Sequence, residues 1–118
     1  VRRPPGIATL RAAWWAHRAL LAARGQLPRR PLDDVALPPP PRLPAHAVRG
    51  VRALLVRRRH SCLEGALVLQ RWLAAYGDPR DVVIGVVAPD EAFGAHAWID
   101  GDPAAAAEPF LELRRVHP

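Results

Sequence analysis

The chain has 118 residues and a formal charge of +6, and half of its residues are hydrophobic, which suits one small domain with a modest core. Its single cysteine excludes an internal disulfide and any zinc site needing two thiolates, and no apolar run reaches the ~18 residues of a membrane span. All 17 basic residues are arginine, with no lysine and no asparagine. This fits a GC-rich bacterial genome, and the basic surface is either plain solvated arginine or a docking face for an acidic partner.

The chain begins on Val1, which points to an alternative start codon or a trimmed chain. Residues 7 to 24 place Ile7, Leu10, Trp14, His17 or Arg18, and Leu21 at helical spacing. One of Trp14 and Trp15 is expected in the core and the other at its edge, with Gly25 as C-cap. Arginine interrupts the apolar part, so this segment reads as an amphipathic helix and not as a secretory signal. Residues 28 to 44, PRRPLDDVALPPPPRLP, hold seven prolines in seventeen positions and read as an extended strap. Residues 1–44 thus form a helix and strap, and residues 45–118 the main body of a single domain.

A second helix is expected from about Ala45 to Arg57, with Val48, Val51, Leu54 and Leu55 as its apolar stripe. A third runs from Cys62 to about Tyr76 and closes at Gly77. Three strands follow: DVVIGVVA (81 to 88), FGAHAWID (93 to 100) and a segment near 106 to 116. Helices followed by a meander of strands make an α+β pattern, N-terminal helices then a small antiparallel sheet.

Ser61 and Glu64 form S-x-x-E, a capping box. Ser61 is then the N-cap and Cys62 the first helical residue. A thiol there feels unpaired N–H groups and the positive end of the helix dipole, which favour thiolate. Arg57, Arg58, Arg59 and His60 add positive potential. Without such a setting a lone cysteine is a small core hydrophobe. Of the five histidines, His96 alone lies mid-strand. Alternation puts Gly94, His96, Trp98 and Asp100 on one face, and Phe93, Ala95, Ala97 and Ile99 on the other.

Nucleophilic catalysis by cysteine needs a histidine base and a group that orients the imidazole. Asp100 shares the face of His96 but lies roughly 13 Å along the strand. If residues 101–103 form a three-residue turn, residue 96 pairs with 108 and Glu108 lies beside His96. A longer loop brings in Glu112, and Asp102 is a weaker alternative. Neither Gln26 nor Gln70 stands out as a second oxyanion donor.

Cys62 at a helix start, then VVIGV, then F-x-AHAW, in that order and spacing, resembles the lasso peptide biosynthesis B2 proteins. The resemblance covers about Arg58 to Phe110, and SCLEGALVLQRWLAAYG is its longest piece. These are leader peptidases with a transglutaminase-like, papain-like fold. The resemblance implies a cytoplasmic cysteine endopeptidase with Cys62 as nucleophile, His96 as base and Glu108 in the place usually held by an aspartate. Trp98 would contact substrate. It implies no cofactor and no metal. It also implies three partners: the precursor peptide, a separate B1 leader-recognition protein, and the cyclase that closes the ring. Family members often carry arginine three residues after the cysteine, where this chain has Gly65. Two other readings are a transglutaminase-like acyltransferase and a non-catalytic arginine-rich binding module. No nucleic-acid motif supports nucleic acid as the partner. The basic, apolar region around Trp14, Trp15 and the strap is the expected docking face.

Overall fold

The computed structural model describes residues 6–87, 94–102 and 110–118. The first helix, α1 (Ile7–Gln26), buries Ala12, Trp15, Ala16, Ala19, Leu20 and Ala23. The stripe expected to face the core does not. Ile7, Leu10, Trp14 and Leu21 are 78, 56, 64 and 51% exposed. Of the two indoles, Trp15 is the buried one and Trp14 the exposed one. The reason is close helix packing. α1 lies against α2 (Val48–Arg57) and α3 (Cys62–Ala75), and a Cβ on Gly50 of α2 would run into the Thr9 carbonyl oxygen of α1. At such an approach the alanine-rich face fits and the bulkier face is turned out. The helix also continues through Gly25. The Leu27 N–H still reaches the Ala23 carbonyl at 3.0 Å, so the residue expected as C-cap lies inside the last turn.

The strap lies along this helical layer, with one 3-10 turn at Leu32–Asp34. Proline-rich backbone has many carbonyls and few N–H groups, and it is pinned accordingly. Trp15 Nε1 donates to the Pro38 carbonyl at 3.1 Å. The Tyr76 hydroxyl donates to the Pro41 carbonyl and accepts from the Leu43 N–H, both at 2.8 Å. Gln26 makes a two-way pair with the Ala36 backbone, at 2.7 and 2.8 Å. A 3-10 turn at Ala45–Ala47 then leads into α2. Val51 is fully buried, with Val48, Leu54 and Leu55 packed against the core.

The α3 C-terminus ends as its sequence indicates. Gly77 has φ of +81°, its N–H donates to the Ala74 carbonyl, and the Asp78 N–H donates to the Leu73 carbonyl. That is a Schellman ending.

Strands β1 (Val82–Val87), β2 (Ala95–Ile99) and β3 (Phe110–Val116) form one antiparallel sheet in the order β2-β1-β3. This corrects the expected meander, because β2 and β3 are not neighbours. β1 is the strand apolar on both faces, and Val82 and Val83 are at most 1% exposed, as befits a central strand. Val82, Ala97, Ile99 and Val116 join the helical core. No helix among the described residues is long and apolar enough to cross a membrane.

Candidate active site

The start of α3 is the best-tied helix terminus among those described. The Ser61 hydroxyl accepts from the Glu64 N–H at 3.1 Å, and the Ser61 N–H donates to Glu64 Oε1 at 2.7 Å. The capping box is therefore complete. Its Glu64 is 8% exposed, and the carboxylate is also reached by Arg24 of α1, whose Nε donates to Glu64 Oε2 at 3.1 Å. The same guanidinium donates to the Arg59 carbonyl at 2.6 Å. Burial alone would raise the Glu64 pKa. The Ser61 N–H, the Arg24 guanidinium and the Ser61 hydroxyl outweigh it and hold the carboxyl below its ordinary range.

His60 closes the other side of this turn. Its ring nitrogens hydrogen-bond the Ser61 carbonyl at 2.8 Å and the Leu55 carbonyl at 2.7 Å. The ring lies over Gly65, where a Cβ would stand 2.5 Å from His60 Cε1. Sequence reasoning missed Arg24 and the part played by His60. Arg24 is 40 residues from Glu64, and no local pattern announces such a pair.

Held this way, Cys62 is exposed, and its Sγ accepts a hydrogen bond from the Ala97 backbone N–H at 3.3 Å. Ala97 pairs with Ile84 on β1, and its N–H is spent on sulfur, so this N–H points off the free edge of β2. An N–H aimed at sulfur interacts more strongly with a thiolate than with a thiol. The capping box uses the N–H groups of Ser61 and Glu64, which leaves those of Cys62 and Leu63 outside it.

Ala97 is the residue after His96, one Cα step of ~3.8 Å along the strand. His96 is half-buried and stacks on Trp98, with ring centroids 5.7 Å apart. Both belong to the sheet face opposite the one that packs on the helices, as the alternation expected.

The carboxylates fall differently from expectation. Glu108 lies outside the described residues. The register that placed it beside His96 does not hold, because β3 pairs with β1. His96 is in register with Gly85, and Gly85 with Glu112, so Glu112 occupies His96's row across a residue without a side chain. Arg115 gathers the acids of this face. It donates to Glu112 at 2.8 and 3.0 Å and to Asp100 at 2.9 Å. The bond from Arg115 holds the Glu112 carboxyl below its usual value against the opposing effect of burial. Asp102 stands at the turn after β2. Gln70 is committed to the Arg80 and Val116 carbonyls and Gln26 to the strap, so neither serves the thiol.

Residues 5–117 match the family model described as the Transglutaminase-like superfamily. No curated protein and no solved structure matches the chain.

Proposed function

The chain belongs to the transglutaminase-like superfamily, a group that includes cysteine peptidases and acyltransferases, and from that membership we propose that it is a cysteine peptidase. Its substrate in this reading is a ribosomally made lasso precursor, from which it removes the leader. The observation that carries the reading is the 3.3 Å hydrogen bond from Ala97 N–H to Cys62 Sγ. It seats an exposed thiol at a capped helix start, against the strand that bears His96.

His96 takes the Cys62 proton, and the thiolate attacks the scissile carbonyl. The Cys62 N–H stabilises the oxyanion of the tetrahedral intermediate. Collapse breaks the C–N bond, and His96 gives its proton to the leaving amine. Water then attacks the thioester, its proton passes to His96, and the free thiolate and a carboxylic acid result. Trp98, stacked on His96, offers substrate an apolar wall. Among the described carboxylates, Glu112 is assigned the task of orienting His96, because the two share a row across Gly85. A separate leader-recognition protein of the B1 type delivers the precursor, and the ring-closing cyclase takes the product.

The test is incubation with candidate leader–core precursors and a B1 protein, read by mass spectrometry. Hydrolysis adds one water to the cleaved fragment, and acyl transfer to an amine would appear as a different mass. Cys62→Ala is expected to abolish cleavage with the fold intact, and His96→Ala to lower it about 10²–10⁴-fold. Retained cleavage by Cys62→Ala would end the peptidase reading. Glu112→Ala is expected to cost more activity than Asp100→Ala or Glu108→Ala. A larger loss in Glu108→Ala returns the orienting role to that residue.

A further inference from the structure

The exposed face of α1 borders an open groove of about 460 Å³ whose far wall is Pro39 and Pro41 of the strap. Ile7, Leu10 and Trp14 line it, with Arg11 and Arg18 beside them. On the other side of Trp14 a second hollow, about 260 Å³, shares Leu10 and Trp14 and reaches Leu54 and Arg58 at the end of α2. The two form one apolar track that runs from the strap to within four residues of Cys62 in sequence. Its walls are held in place by the bonds of Trp15 and Tyr76 to the strap, so an occupant would meet a formed surface, which lowers the ordering cost of binding.

Charge selects the occupant. Among the described residues no carboxylate lines either hollow. Thirteen of the 17 arginines precede Glu64 in the chain, and of the 11 acidic residues only Asp33 and Asp34 do. Asp33 is already bound by Arg114 at 2.8 Å. A symmetric pairing of two copies through this face would set arginine against arginine. Aliphatic and proline walls flanking a single exposed indole are not the ladder of aromatic platforms that single-stranded nucleic acid uses.

We propose that this track docks an acidic, amphipathic segment of a partner protein. Its apolar side chains enter the hollows on either side of Trp14, and its carboxylates meet Arg11, Arg18 and Arg58. This is helix-in-groove recognition with a charged rim. The proposal does not depend on the chemistry at Cys62.

The experiment is fluorescence anisotropy with the full chain and a labelled peptide, acetyl-DELLEEFLEDE-amide, beside an analogue in which lysine replaces every acidic residue. Saturable binding of the acidic peptide is expected, and none of the lysine analogue. Trp14→Ser and the double variant Arg11→Glu/Arg18→Glu change exposed side chains, so circular dichroism is expected to stay unchanged. Each is expected to weaken binding about tenfold or more. The proposal is overturned by equal binding of both peptides, by variants that bind as the parent does, or by no saturation with the acidic peptide. It is also overturned if oligothymidylate or anionic phosphatidylserine vesicles bind more tightly and displace the peptide, or if sedimentation shows the chain filling this face with another copy of itself. Binding is read without turnover, so failure here leaves the peptidase reading standing, and failure of cleavage leaves this one standing.

Discussion

Position 65 lacks a side chain because the His60 ring occupies the space. A Cβ there would stand 2.5 Å from Cε1 and 2.8 Å from Nδ1 of that ring, too close to be tolerated without movement. The ring in turn ties the Leu55 carbonyl near the end of α2 to the Ser61 carbonyl that opens α3. Gly65→Ala is therefore expected to displace the ring and cost the Leu55 carbonyl its bond to it, a loss of about 1–3 kcal/mol, while the Ser61 carbonyl keeps the Gly65 N–H at 3.1 Å. The better helix propensity of alanine, about 0.5–1 kcal/mol, offsets part of it. Urea unfolding of the two single variants and the double variant checks this. In a His60→Ala background the same Gly65→Ala change should cost nothing or stabilise. An equal cost in both backgrounds would show that the ring is not what the glycine accommodates.

At the scale of elements, α3 is fastened by a carboxylate, and that gives its start a pH dependence of definite sign. Glu64 has its pKa lowered in the folded protein from an ordinary 4.5. A depressed native value contributes stability above the unfolded pKa and loses it as pH falls through the native one. The parent and Glu64→Gln are thus expected to differ by a constant amount at neutral pH, with the parent more stable. The gap should close progressively below about pH 4.5. Thermal unfolding of both proteins across that window measures it, and a gap that widens on acidification would contradict the assignment. The cap itself was legible in the sequence, as were the Gly77 ending and the alternation of β2, because each is decided by residues a few positions apart. The buried face of α1 was not legible. Size and apolarity point to Ile7, Leu10 and Trp14, but the face that packs is set by how closely Gly50 lets α2 approach. Strand order was hidden for a similar reason. A turn-length argument assumes that consecutive strands pair, whereas the apolar β1 takes the centre and separates β2 from β3. The places of Cys62 at a capped helix start and of His96 within a strand were legible because each is decided locally. The carboxylate that shares the row of His96 was not, because its register depends on that order.

At the scale of the whole chain the sequence is electrically lopsided, since its arginines lie mostly before Glu64 and nine of its 11 carboxylates from Glu64 onward. The boundary between the two regions falls at the start of α3, beside Cys62. In the proposed reading, a partner attracted to the basic helices would be brought up to the thiol, its arrival steered by a field that salt weakens over a Debye length of about 10 Å at 0.1 M. The chemistry at sulfur has no such dependence when the reagent is neutral. Two rates measured on one preparation should therefore separate as ionic strength rises. Cleavage of the precursor in the presence of the B1 protein is expected to fall about tenfold or more between low and high salt. Alkylation of Cys62 by iodoacetamide, an uncharged probe, is expected to hold nearly constant. If both rates fall together, salt is acting on the site and not on the encounter. If neither falls, the arginines do not steer the partner, and delivery must rest on apolar contacts along α1 alone.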